Sequence, residues 1–528
     1  MLIIGISAFF ALLVFSPYIA GVLRETAGTT FAGAVHYSLD YYYYLSYMAQ
    51  GKLRWLTSLN INTQDVHPAV FYHWLYVLSG RVFAILGISN IIGYQLLVLG
   101  LTILLLFVSY RLIRAVIPSR AGRTIAYILF LVSNAWPYLT RTATGWTFGY
   151  YQSWYNYGEP FTRFSSIPHN LLAQSVLIAA LLFLVCVPHM FQSRSLFAWV
   201  LFLMSGFLLA STQTPLVLIV VLTYGIFWVR DVVSSRDPKK YLHAALCSST
   251  FPPLILFVSG AVPYMAYLHT LFQNPPYNFT SWEVSLQIHL TFLQFLQING
   301  PVMLLGLVGL PVLLSTRTKI RQIIVVSTLV SWGIFLSPIP MYISILNVRF
   351  LSVVPTLTMA CSAAILIEAI CKRVNASMKM LLRIGIILLI LGLTFPATVQ
   401  QIIARSTLDP FNAYLFLPDT VMDAYKHVEN LIKPQETCLV VWPFNISFAG
   451  LTGRRAFIAN GFSTINYQAK EQQQNAFFSG QTPMDQKKRI LSSNGISCVV
   501  TYTFTTGLPS ALSPIYANSY MTIYRVEK

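Results

Sequence analysis

The sequence predicts an all-α polytopic membrane domain followed by a small α/β domain, and three observations predict it. Of its 528 residues, 56% are hydrophobic and 9% are charged, where a soluble chain carries roughly 25% charged residues. The apolar residues gather in runs near the roughly 20-residue length that crosses a bilayer core as a helix. From about residue 405 the runs shorten and charge rises. We therefore divide the chain into a membrane domain, 1–404, with a large loop at 24–90, and a second domain, 405–528.

About eleven spans are expected, at 2–23, 91–112, 124–140, 169–190, 195–211, 214–230, 243–268, 289–316, 320–338, 350–371 and 384–403. The first has no basic n-region and reads as an anchor. Pro252-Pro253 is a candidate break in the seventh.

The net charge of +18 does not imply nucleic acid, because the basic residues form short clusters between apolar runs and not one stripe. With Met1 inside, the inner connections hold Arg111, Arg114, Arg120 and Arg123, then Arg194, then Arg230, Arg236, Lys239 and Lys240, then Arg317, Lys319 and Arg321, then Lys372, Arg373, Lys379 and Arg383. The outer loops, longer in total, hold Arg24, Lys52, Arg54, Arg81, Arg141, Arg163 and Arg349. The positive-inside rule then puts the N-terminus in the cytoplasm and residues 405–528 outside a plasma membrane.

In 405–528, "ETCLVVWPF" and "GISCVVTYTF" read as strands and "MTIYRVEK" as a closing strand. "NYQAKEQQQNAFFSG" and "PMDQKKRILSSNG" read as helices ending at glycine. Strand–helix alternation implies an α/β fold. "LTGRRAF" reads as a turn entering a strand, with its arginines outward, in solvent or on a glycan or lipid head group. Cys438 and Cys498 are open to pairing if this part is extracytoplasmic. CxxC and HExxH motifs do not occur, so no motif supports a metal.

The outer loops of the membrane part hold few acids: Glu25, Asp40, Asp65, Glu159 and Glu283. Segments 39–50 and 68–80 have helical length and aromatic faces, as helices lying in a membrane interface do, and most of the tyrosines of "YYYYLSY" read as an aromatic belt. Asp40 fits a belt less well, because a carboxylate at the bilayer edge is costly without a wet cavity or a partner. Asp65 and His67 follow in the same loop, and Tyr44 lies one turn beyond Asp40. Arg163, His169 and Glu159 stand around the start of span four, and Arg349 at the outer end of span ten. Guanidinium groups offer fork-shaped donors suited to a phosphate.

This layout resembles the GT-C glycosyltransferases, multi-span enzymes that use lipid-phosphate sugar donors. The resemblance rests on the Asp of "HYSLDYYYYLSYMAQG" after span one and on "HPAVFYHWLYVLSGRVFAILGIS" before span two. It rests also on the Arg of "FTRFSSIPHN" and on "NVRF" before a late span and a soluble domain. It looks nearest to bacterial members with a similar Asp-then-"YLS" first loop and a C-terminal domain, which in this chain carries "TGRR", "FFSG", "GISCVV" and "IYRV". The resemblance implies Asp40 as the catalytic centre, with Asp65 open to sharing the work. It implies Arg163 and Arg349, with His169, as holders of the donor phosphate, and leaves Glu159, His67 and Tyr44 as further cavity candidates. The implied partners are a polyprenyl-phosphate-linked sugar, an extracytoplasmic glycan, lipid or protein acceptor, and membrane lipids. Many members carry adjacent acids where Asp40 is flanked by Leu39 and Tyr41, and the WWDYG-like signature of oligosaccharyltransferases is missing. Two other readings stay open: a transporter or flippase of lipid-linked sugars, and a non-catalytic cell-envelope assembly protein.

Overall fold

The computed structural model describes residues 2–35, 37–142, 145–151, 157–192, 196–234, 250–278, 284–316 and 318–527. His36, Arg194, Arg236, Lys239, Lys240, Glu283 and Arg317, all used in the sequence reading, lie outside these residues.

In chain order the helices begin α1 Leu2–Leu23, α2 Ser38–Ala49, α3 Trp74–Ile85, α4 Asn90–Val116, α5 Arg120–Val132, α6 Pro160–Phe164, α7 Pro168–Gln192, α8 Leu196–Gln213, α9 Pro215–Val233 and α10 Phe251–Leu271. They continue with α11 Phe292–Ser315, α12 Lys319–Leu336, α13 Ile339–Tyr342, α14 Val353–Cys371, α15 Ala376–Ser406, α16 Asp419–Leu431, α17 Asn445–Thr452, α18 Tyr467–Phe478 and α19 Met484–Ser493. The strands are β1 Thr29–Phe31, β2 Pro137–Thr142, β3 Gly145–Tyr150, β4 Phe416–Pro418, β5 Thr437–Val440, β6 Arg455–Ala456, β7 Ile496–Tyr502, β8 Leu512–Ala517 and β9 Met521–Val526.

Among the described residues 10 helices are long and apolar enough to cross a membrane. The chain is a multi-pass membrane protein. The expected third span, 124–140, is a correction: α5 ends at Val132, and 137–142 form β2, paired antiparallel with β3. The reason is polar. Buried Asn134 donates to Thr398 Oγ1 (3.0 Å) and exchanges amide bonds with Gln401 at 3.1 Å in both directions, the kind of side-chain bond that joins membrane helices. Residues 243–249 of the expected seventh span lie outside the described residues, and the helix described there, α10, begins at Phe251. Pro252-Pro253 sits in the first turn of α10, where no helical N–H is needed.

Two compact units make up the chain. The first takes Met1–Phe15, Val98–His269 and Ser281–Ile403. Its centre is α14, buried at every residue from Val353 to Ala364. α11 lies close against it because Gly306 and Gly309 face the backbone of Met359 and Ser362, where a Cβ has no room. Ser362 Oγ donates to the Gly306 carbonyl at 2.7 Å.

The second unit takes Ser16–Leu97, Thr270–Thr280 and Ala404–Lys528. Residues 404–528 thus fold with the large loop. β1 of that loop pairs antiparallel with β4. α2 packs on α17, where a Cβ on Gly450 would press on the Tyr42 carbonyl. Gly80 of α3 lies on the Met48 backbone in the same way. A five-stranded mixed sheet, ordered β6-β5-β7-β9-β8, carries the rest. The three expected strands and two expected helices are present, but β9 is interior and β8 takes the edge. Cys438 and Cys498 face each other in register on parallel β5 and β7 as buried free thiols.

Candidate active site

In the second unit, α2 forms where the aromatic belt was expected, and the belt reading is corrected. Tyr41, Tyr42, Tyr43 and Tyr47 are buried in protein. Consecutive tyrosines wrap around a helix, and this unit supplies partners on each side. Tyr41 meets Tyr94 edge-on at 4.9 Å, and Tyr44 stacks on Tyr76 at 4.6 Å. Tyr43 meets Phe462 at 5.2 Å. The second interfacial segment starts late: 68–73 precede α3, and Val70 pairs instead with Ser58.

Asp40 lies in the first turn of α2 and is half-buried. An acid there complements the positive helix end. One turn on, the Tyr43 hydroxyl accepts from Tyr47 at 2.9 Å and lies 3.2 Å from His73 Nε2. Burial pushes the Tyr43 phenol well above its ordinary range, and the Asp40 charge adds to the rise. Tyr43 therefore stays a protonated donor beside the carboxylate. The sequence reading did not single out Tyr43 or His73. Their signal was a histidine embedded in the aromatic run of "HPAVFYHWLYVLSG".

Asp65 sits differently. Lys470 Nζ donates to its Oδ2 at 2.5 Å and to Thr63 Oγ1 at 3.0 Å, and Thr63 bonds the same carboxylate. Partial burial would raise the Asp65 carboxyl, but the Lys470 and Thr63 hydrogen bonds and the lysine charge outweigh it, leaving it below its ordinary value. Such a group is a poor proton acceptor and a good anchor. Arg455 Nη1 adds bonds to the Gln64 and Asp65 carbonyls at 3.0 and 3.4 Å. Arg454 donates to the Ile432 and Glu429 carbonyls. The outward arginines expected in "LTGRRAF" are thus turned inward. His67 Nε2 lies 3.2 Å from the Asn60 backbone and Nδ1 3.1 Å from the Pro68 carbonyl, with Tyr277 edge-on at 5.6 Å.

In the first unit, Arg163 is fully buried. Nη1 donates to the Tyr157 and Gly158 carbonyls at 3.1 and 3.5 Å, and Nη2 to those of Leu131 and Ser133 at 3.4 and 2.8 Å. The Phe130 and Phe164 rings lie against the guanidinium at 5.0 and 5.1 Å. Burial lowers its proton affinity and the Glu159 charge opposes that. Arg163 therefore caps the end of α5 and ties it to the 157–163 segment. Its terminal donors are bonded to carbonyls, which runs against the phosphate role expected of it.

Arg349 and His169 are brought together. Both are half-buried, and the Arg349 charge acts on the imidazole. His169 is the second residue of α7, and Arg349 precedes α14. Gln174 Oε1 accepts from Val353 N at 3.0 Å, which holds the start of α14 against α7. Thr356 Oγ1 donates to the Tyr157 carbonyl at 3.3 Å. Two positive helix ends, an arginine and a histidine thus gather in one place, an arrangement that attracts an anion. Among the described residues no group of three or more His, Cys, Asp or Glu side chains is arranged to hold a metal.

Solved structures share this architecture. The archaeal oligosaccharyltransferase AglB from Archaeoglobus fulgidus, in complex with an inhibitory peptide and a dolichol-phosphate, matches with a TM-score of 0.53 at 12% identity, over 95% of this chain and 69% of that chain. The chain has a GT-C fold. A mutant form of the arabinofuranosyltransferase AftD from Mycobacteria matches with a TM-score of 0.50 at 15% identity, over 100% of this chain and 41% of that one. No family model and no curated protein matches the sequence. Within the GT-C fold, Asp40 occupies the first helix after the first span, and Arg349 immediately precedes a late span.

Proposed function

We propose that this protein is a membrane glycosyltransferase that moves a sugar from a polyprenyl-phosphate donor to an extracytoplasmic glycan, lipid or protein acceptor. The observation that carries the reading is the GT-C fold combined with a carboxylate in the first turn of α2. Asp40 accepts the proton of the acceptor hydroxyl as its oxygen attacks the anomeric carbon. The bond from that carbon to the donor phosphate oxygen breaks through an oxocarbenium-like state, as in glycoside chemistry. The electron pair leaves with the phosphate, whose growing charge Arg349, His169 and the helix ends beside them stabilise. Arg163 and Asp65 are positioning residues, the first for the phosphate site and the second for the loop that carries Asp40. The N-terminus is cytoplasmic, the second unit is extracytoplasmic, and the membrane is the plasma membrane. The basic clusters of the expected inner connections support this orientation, with α5 taken as a short crossing beside the 10 long helices.

The test is sugar transfer from a polyprenyl-phosphate donor by purified protein in liposomes. Asp40→Asn keeps the shape and removes the base, so transfer falls while donor binding holds. Normal transfer by Asp40→Asn would sink the assignment. Translocation of a lipid-linked sugar without any transfer would replace the reading with a flippase.

A further inference from the structure

The sheet of the second unit ends in a group of aromatic rings that the transfer chemistry does not use. β5 and β7 run parallel, so the residues that follow them emerge at one edge of the sheet. β9 runs antiparallel to β7, with Met521 opposite Tyr502, so the residue before it emerges there too. These positions are Trp442, Phe504 and Tyr520, with Tyr502 at the strand end. In α/β sheets the carboxyl edge of the parallel strands is where ligands bind.

Three of the rings, Tyr502, Phe504 and Tyr520, pack on one another, and Trp442 is exposed at the same edge. Trp442 is 61% and Phe504 69% exposed. Tyr502 and Phe504 lie within 10° of parallel with centroids 5.0 Å apart, and Tyr520 stands edge-on to Tyr502 at 5.4 Å. The backbone beneath is fixed. Tyr502 donates to the Trp442 carbonyl at 3.2 Å, Thr503 N to the Tyr520 carbonyl at 2.9 Å, and Thr503 Oγ1 to the Asn518 carbonyl at 2.9 Å. Asn518 Oδ1 accepts from Tyr520 N and Met521 N at 2.9 and 2.8 Å. Large rings held open to solvent on ordered loops cost stability unless something covers them.

Charge narrows the occupant. The loops 441–444, 503–510 and 518–520 contain no Asp, Glu, Lys or Arg, on a chain of net charge +18, and the charged side chains bonded to them, Lys487 on the Gly507 carbonyl and Asp423 on the Asn518 amide, are one of each sign. Their polar groups are hydroxyls and amides. A phosphate head group or a nucleic acid calls for cations, and an acidic protein partner would be met with lysines.

We infer that this face binds a neutral carbohydrate. The ring faces of Trp442 and Phe504 stack on the C–H face of a sugar, and the exposed hydroxyl side chains of Thr506, Ser510 and Ser519 on the same loops take its hydroxyls. This site does not depend on Asp40 or on the transferase reading.

The full-length protein in nanodiscs is to be titrated with neutral gluco-, manno-, galacto- and arabino-oligosaccharides, with saturation-transfer NMR as the readout. At least one should bind. Trp442→Ala and Phe504→Ala should each weaken it by about tenfold or more, the loss expected of a central aromatic anchor. Trp55→Ala, at an exposed tryptophan elsewhere in the unit, should leave it unchanged. Both substituted side chains are exposed, and a thermal melt confirms folding. Failure of all four sugar classes to bind, or equal binding by the variants, would overturn the inference. Preference for uronic or phosphorylated sugars would overturn the neutral class. A component of brominated-lipid quenching that is lost in Trp442→Phe would assign the face to lipid instead. A dimer that Trp442→Ala converts to monomer would assign it to a second copy.

Discussion

Asp40 and Asp65 belong to the same loop, yet the fold treats them differently. Asp65 is held by the ammonium of buried Lys470 and the Thr63 hydroxyl. Asp40 opens an aromatic helix, one turn from a phenol that cannot ionise at neutral pH. Arg163 and Arg349 repeat the contrast in the first unit: one lies in a cage of carbonyls and rings, the other beside a histidine at two helix starts. The lesson is that residue type nominates a site. The surroundings that the fold gives a residue set the role it can take.

The largest effect should separate the two aspartates. Asp40→Asn is expected to lower transfer by roughly 10²–10⁴-fold, the usual share of acid–base catalysis, with little change in donor affinity. Asp65→Asn is expected to retain transfer and to lose about 1–3 kcal/mol of stability, because the Lys470 charge keeps a weaker partner. Urea melts and initial rates on the same preparations sharpen the comparison, and equal kinetic losses would break it.

The arginines come next. Arg163→Met should destabilise the protein by about 3–5 kcal/mol, since it orphans several buried carbonyls, and it should show as low yield and early thermal unfolding. Arg349→Ala should fold normally and weaken polyprenyl-phosphate binding together with rate, as loss of a contact made in ground and transition states does. Donor-binding isotherms decide this. A well-folded Arg163→Met with selective loss of donor affinity would return the phosphate role to Arg163.

A smaller effect concerns pH. The folded Asp65 carboxyl titrates below its unfolded value. Its stabilisation is therefore fully present above the ordinary carboxylate range and is lost as pH falls through the lower, folded value. Acid unfolding curves should lose part of that dependence in Lys470→Met. The smallest effect is a labelling pattern. A cysteine at exposed Lys488 should react with an impermeant maleimide on intact cells, and one at exposed Arg373 only after permeabilisation. The reverse pattern would turn the orientation over.

The sequence by itself determined that the chain spans a membrane many times, because apolar length is a local property and a run of about 20 apolar residues has few other stable placements. It also determined β5, β7 and β9 and the helices α18 and α19, whose apolar patterns and glycine stops are local as well. Tertiary structure decided the rest, because burial and bonding partners are set by residues far away in the chain. Only the folded unit, with Tyr76, Tyr94 and Phe462 around α2, makes the tyrosine run a core and not a belt. The third span ends short because Asn134 finds Gln401 and Arg163 finds the last carbonyls of α5. Asp65 becomes an anchor because Lys470 reaches it from the opposite end of the chain. A carboxylate or a guanidinium is visible in any sequence, but whether its hydrogen-bonding capacity is already committed depends on neighbours that no local pattern encodes.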